Sequence, residues 1–361
     1  MTHTRMTFSA VVFCEVLLVL GCEGPPVSVE VPSWISDEGI PGTSDALSRI
    51  EVGGKRGFID KTGKVVIRPQ FDRAWGFSEG LARVVNGDRF GFIGKNGKPA
   101  FAATFDEAMD FQDGRAAVLI GGKWGFIDRT GRVCIQPSFE EVKNGFADGR
   151  CPIAVRGKYG FIDPNGRVAI PAQFDETIGF RRGLAAVRVG NFWGFVDPNG
   201  GVVLPIVYGG ALWFCDDPEY AWVNIGGKTI SNPSVGHISL GGAWQFIDKK
   251  GKVVIPPCST IGIFTEGLCL RQGPGIKFGY MDREGSWHID PRYDNGLPFQ
   301  EGLAPVCIGR KWGFIDKMGR EAISPQFDEA YLFRDGLARV RVRDKWGYIE
   351  PSGEFVWKPT R

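Results

Sequence analysis

Apolar residues along this chain fall in pairs flanked by polar turns. Phe58-Ile59 and Phe126-Ile127 are typical. Successive side chains of a strand point to opposite faces, so each pair predicts a strand buried on both sides. A polar turn follows, as in Asp60-Lys61-Thr62-Gly63, Asp163-Pro164-Asn165-Gly166 and Asp197-Pro198-Asn199-Gly200. Asp opens such a turn, and Gly supplies the positive φ that closes it. The hairpin continues into a second strand, Lys64-Val65-Val66-Ile67 or Lys252-Val253-Val254-Ile255, which usually stops at a proline: Pro69, Pro137, Pro171, Pro205, Pro256 or Pro325. Proline lacks the donor that a sheet ladder needs. A corner comes next at Phe71-Asp72, Phe105-Asp106, Phe174-Asp175 and Phe327-Asp328, with a second aromatic at Phe77, Phe111, Phe180 and Phe333. A third strand opens with Gly-Leu-Ala at Gly80, Gly183, Gly302 and Gly336.

This unit repeats. Its core reads RGFID, FGFIG, WGFID, YGFID, WGFVD, WQFID, FGYMD, WGFID and WGYIE, with second residues Gly57, Gly91, Gly125, Gly160, Gly194, Gln245, Gly279, Gly313 and Gly347. The spacings are 34, 34, 35, 34, 51, 34, 34 and 34 residues. The glycine beside the aromatic predicts close approach of another backbone. The ladder resembles the WG-repeat (KWG repeat) family of bacterial proteins over residues 47 to 361. That resemblance implies a repeat scaffold and assigns it no activity.

A unit of this size cannot bury its own aromatics, so stacking on its neighbours must stabilise it. The expected fold is all-β, a tandem array of nine short three-stranded units extended as a solenoid. The alternative is a closed propeller-like ring. Leu47-Ser48-Arg49-Ile50 mimics Leu337-Ala338-Arg339-Val340, which frames the array from residue 47. Arg56 stands where other units carry an aromatic and reads as a polar cap on the first unit.

Ahead of the array, His3 and Arg5 precede an apolar run from Phe8 to Leu20 that ends in Val19-Leu20-Gly21-Cys22. The run suits a signal peptide better than a membrane span. Its end resembles a bacterial lipobox, which implies cleavage before Cys22 and lipidation of that residue. Glu15, inside the apolar run, departs from the pattern. The domain reading is therefore a lipoprotein signal peptide over 1–21, a Pro/Gly/Ser-rich tether over 22–46, and the β domain over 47–361. Lipidated Cys22 would hold an exported protein on a membrane of the cell envelope; an uncleaved signal would leave it in the cytoplasm.

Charge and chemistry narrow the function. Basic and acidic residues, 43 and 41, are interspersed to a net charge of +2, so no electrostatic footprint for nucleic acid is present. With only His3, His237 and His288, and no GxxxxGK[ST], GxSxG or HExxH motif, the sequence is read as non-enzymatic with no cofactor. The repeated turn carboxylates Asp60, Asp128, Asp163, Asp197, Asp248, Asp282 and Asp316 supply one oxygen ligand group per unit. Calcium needs several, so a turn role is expected and no metal. Cys134 and Cys151 stand where Val66 and Ala82 stand in their units and are read as small buried hydrophobes.

Two candidate sites remain. The motif aromatics, among them Trp124, Trp193, Trp312 and Trp346, would form a row if the units stack in register, either as a carbohydrate platform or as core. The long interval carries an insertion at about 228–242, expected to project as a loop or small hairpin, with Asn232 and His237 as candidate binding residues. The expected role is a scaffold for an unidentified protein or a cell-wall glycan. A carbohydrate-binding module and a purely structural spacer are the competing readings.

Overall fold

The computed structural model describes residues 47–214, 219–232, 236–240, 242–258 and 264–358. Among these the chain is all-β apart from one turn of 3-10 helix, Pro274–Ile276. The strands form nine small antiparallel sheets arranged as the blades of a ring, plus one two-stranded hairpin. Blade 9 shows the complete unit: first strand Glu329–Arg334, second Leu337–Val342, third Lys345–Ile349 and fourth Phe355–Trp357, hydrogen-bonded in that order.

Seven of the nine units therefore hold four strands where the sequence suggests three. The extra strand follows the corner aspartate. It spans only two residues in four blades, as in Glu107–Ala108 and Asn295–Gly296, which is too short to show a period. Blade 1, Leu47–Phe71, begins with its second strand. In blade 2 the fourth strand is reduced to the bridges Phe90 to Phe105 and Ile93 to Pro99.

The motif glycine has a definite cause. The fourth strand bulges opposite it, breaking register between the partners of Trp124 and Phe126 and between those of Trp312 and Phe314. The bulge pushes a carbonyl against the glycine. A Cβ on Gly57 would lie 2.5 Å from Ile67 O, and one on Gly125 would lie 2.7 Å from Ile135 O. Blade 2 lacks a regular fourth strand, and Gly91 faces open space.

The core lies between blades. In blades 1 to 8 the motif Phe or Tyr meets the Phe that follows the next corner, edge to face or tilted, as in Phe58–Phe77 at 5.0 Å, Phe92–Phe111 at 4.9 Å, Phe161–Phe180 at 4.8 Å and Phe314–Phe333 at 4.9 Å. Each of eight apolar clusters draws on two consecutive blades. One contains Phe58, Ile67, Phe77 and Ala82 from blades 1 and 2; another contains Phe314, Ile323, Phe333 and Val340 from blades 8 and 9. Stacking on neighbours is thus what buries the aromatics.

Ring closure corrects the preference for an open solenoid. The turn glycine between third and fourth strands packs on the preceding blade throughout: Gly97 on Ile67, Gly200 on Ile170, Gly353 on Ile323. Gly63 of blade 1 packs in the same way on Val356 of blade 9. Tyr348 Oη donates to Arg49 O across the same seam at 2.7 Å. The direction in which one unit leans on the next is set by side-chain packing, which the repeat period does not encode. Because the ring closes, blade 1 has no free end to cap, and Arg56 instead forms an ion pair with Glu51.

Candidate interaction face

Two kinds of carboxylate recur in the ring, and both are engaged in building it. In the turn between third and fourth strands, Asp60 Oδ1 accepts from Thr62 N at 2.9 Å, Thr62 Oγ1 at 2.6 Å and Lys64 N at 3.1 Å. Asp128 and Asp163 do the same with their own turn amides. Hydrogen bonds to the charged form, the Thr hydroxyl first, hold Asp60 and Asp128 below the usual carboxylate range.

The corner carboxylate does something the sequence reading missed. Asp72 accepts from Lys55 Nζ of blade 1 at 2.6 Å and from Gly87 N of blade 2 at 2.9 Å. Asp328 likewise joins Lys311 Nζ of blade 8 at 2.6 Å to Arg343 N of blade 9 at 2.7 Å. Lys158–Asp175–Gly190 and Lys277–Asp294–Gly309 repeat the arrangement. The Lys before the motif aromatic and the Asp after the fourth strand thus clamp neighbouring blades on one face of the ring. The available signal was the constant spacing of 17 residues between the two.

Of the motif aromatics, Trp124, Trp193 and Trp312 are packed between blades. Trp124 and Trp193 are each 7% exposed and offer no free ring face to a sugar. Trp312 and Trp346 are partly buried. Trp346 stacks against Tyr331 at 5.3 Å and lies under the Arg339 guanidinium at 4.1 Å.

Cys151, Cys269 and Cys307 are buried, and burial pushes the Cys151 thiol well up. Cys134 is exposed, correcting its expected burial, because Val66 at the matching position is itself exposed. Among the described residues no group of three or more His, Cys, Asp or Glu is gathered as for a metal ion. Nor is any described helix long and apolar enough to cross a membrane. His288 Nε2 lies 2.9 Å from Lys317 O on the surface.

The turns between second and third strands all emerge on the face that carries the clamps. Their tips expose Val52, Ile120, Val155, Val189, Ile225 and Ile308, with Phe192 and Ile276 beside them. The insertion extends this same turn in blade 6, between Ala221–Ile225 and Ala243–Ile247. It forms the hairpin Lys228–Asn232 and Gly236–Leu240, in which Ser231 pairs with His237 and Asn232 with Gly236. The side chains of Asn232 and His237, like residues 233–235 and Cys22, lie outside the described residues.

The hairpin does not simply project, because its base is packed into the ring. Thr229 is 3% exposed. It donates from N to Asn191 O at 2.8 Å and from Oγ1 to Gly209 O at 3.0 Å, and it accepts from Trp193 Nε1 at 2.9 Å. A buried hydroxyl with its hydrogen bonds made holds the hairpin at a fixed angle to blades 5 and 6.

The WG containing repeat matches residues 57–89, 90–124, 124–159, 159–191, 193–228, 244–270, 278–312 and 312–346. No curated relative matches the sequence. Among solved structures, a eukaryotic initiation factor is similar at 10% identity with a TM-score of 0.50, over 85% of this chain and 94% of that one. The computationally designed Ika8 protein is similar at 10% identity and 0.43, over 78% and 94%. BamB from Moraxella catarrhalis is similar at 10% identity and 0.41, over 86% and 93%. At these identities the likeness concerns the fold alone. Eight matches spread over most of the ring make this chain a member of the WG containing repeat family.

Proposed function

We propose that this protein is a non-enzymatic, lipid-anchored scaffold of the cell envelope, which binds another protein or a cell-wall component through the ring face that carries the inserted hairpin. The observation behind this reading is the fixed base of that hairpin at Thr229, beside exposed aliphatic turn tips. A rigid array that presents one irregular loop is a common way to build recognition. The non-enzymatic part rests on the repeated carboxylates, which are occupied as turn caps and blade clamps. The anchor rests on Cys22 at the end of its apolar run and on the Pro-rich stretch that follows.

Two variants test the reading in the full chain. Replacing residues 231 to 238 by a two-residue turn, with Thr229 kept, should leave the melting temperature nearly unchanged and abolish retention on envelope fractions solubilised from the producing cell. Retention at the original level would remove the hairpin from consideration. Cys22→Ala should abolish metabolic labelling by a fatty acid and release the protein from membranes. Continued labelling would overturn the anchor.

A further inference from the structure

In eight blades a first strand covers one edge of the second. Among the described residues blade 1 has no such cover, and its second strand, Leu47–Val52, pairs on one side only, with Lys55–Asp60. The stretch directly ahead, 38–46, lies outside the described residues, and its sequence carries the groups that a first strand uses. Glu38 stands 15 residues before Gly53. The corner carboxylates Asp72, Asp175 and Asp294 stand 15 residues before the amides that donate to them, at Gly87, Gly190 and Gly309. Glutamate serves at this corner in blade 4, where Glu140 accepts from Gly157 N at 3.1 Å. Asp45 stands 35 residues before Gly80. In the turns between first and second strands, Glu79 accepts from Gly114 N and Asp148 from Gly183 N of the next blade at that same spacing. Ile40 falls where Ala74, Ala108 and Ala330 are buried.

Pro41 accounts for the bond at the seam. In blades 3 and 8 a first-strand amide donates to the second strand eight residues on, Met109 N to Ala117 O at 2.8 Å and Leu297 N to Pro305 O at 2.9 Å. The residue eight before Arg49 is Pro41, which has no N–H. A strand laid there supplies no amide to Arg49 O, and Tyr348 Oη donates to it instead.

We infer that the open edge of blade 1 seats residues 38–46 as its first strand. Glu38 then accepts from Gly53 N and from Lys345 of blade 9, and Asp45 accepts from Gly80 N of blade 2. The segment is joined directly to Leu47, so it reaches the edge at far higher effective concentration than a strand from another molecule. The chain ahead of Glu38 leaves the ring at a corner, on the face of the clamps and the hairpin. An anchor at Cys22 would pull from that face; this consequence rests on the anchor proposed above, and the strand does not.

Hydrogen exchange of the full chain, read by mass spectrometry, tests the strand independently of retention and lipidation. Amides of 38–46 should exchange at least about tenfold more slowly than those of 23–37, at every protein concentration. Glu38→Ala should remove most of that difference. Exchange over 38–46 as fast as over 23–37, a rate indifferent to Glu38→Ala, or protection lost on dilution would each overturn the strand. A second measurement checks the register. Pro41→Ala restores the missing amide, so Tyr348→Phe should lower the melting temperature no more than half as far in that background as in the natural chain. An equal fall in both backgrounds would overturn the placement of Pro41 beside Arg49.

Discussion

Tyr348 Oη donates to Arg49 O at 2.7 Å, joining residues 299 positions apart and closing the ring between blades 9 and 1. In other blades the carbonyl at the place of Arg49 O serves the first strand, as Ala117 O accepts from Met109 N and Pro305 O from Leu297 N. Among the described residues blade 1 begins at its second strand, and a side-chain hydroxyl takes over that role. The change from Phe to Tyr in the last motif is therefore the seam. Tyr280, the other tyrosine at this position, also donates to the next blade, at Leu297 O.

Tyr348→Phe should lower stability by about 0.5–1.5 kcal/mol, the net worth of one hydrogen bond. Hydrogen exchange should speed up selectively over Leu47–Val52 and Lys345–Ile349. A uniform change around the ring would mean that the seam is not a distinct element.

The motif glycines should differ according to what faces them. Gly125→Ala forces a methyl group onto the Ile135 carbonyl and should destabilise the ring clearly, whereas Gly91→Ala meets nothing within 4 Å and should be tolerated. Thermal melts of the two variants give the comparison. Equal losses would refute the bulge explanation.

Emptying one inter-blade contact, as in Phe314→Ala, should cost about 3–5 kcal/mol. Trp124→Ala should cost a similar amount because the ring is core. Chemical denaturation measures both, and a loss below about 1 kcal/mol for Trp124→Ala would return that residue to the surface.

Acid should weaken the clamps in a defined range. Bonds from lysine first, and then from a turn amide, hold Asp72, Asp294 and Asp328 below the usual 3.8. A depressed folded-state value means that the contribution is fully present above pH 3.8 and is lost as pH falls through the lower folded values. Asp328→Asn should therefore be less stable than the natural chain at neutral pH and converge with it in strong acid. A difference that stays constant across pH would show that the charge of Asp328 contributes nothing.

Much of this was legible in the sequence because it is local. The turn of Asp60, the glycine requirement and the count of nine units follow from residue type and spacing. Ring closure stood in the sequence only as the alternative to an open solenoid, since the choice depends on how Phe58 leans on Phe77, a contact between units. The first strands were hidden because several span two residues and their corner Asp looks like a turn. The clamp needed two residues in different strands to be paired, which no single-strand pattern reveals. The hairpin was foreseen as an insertion, but the burial of Thr229 was not, because its partners Asn191, Trp193 and Gly209 lie in other elements.

Sharing every core cluster between consecutive blades also orders the birth of the molecule. As the chain leaves the ribosome, Phe58 has nothing to rest on until Phe77 follows, so each repeat can mature only one repeat behind synthesis. The growing arc always ends in an unfinished surface, and Arg49 waits for Tyr348 until almost the whole chain has emerged. The last contact made is the one between the oldest and youngest parts of the protein.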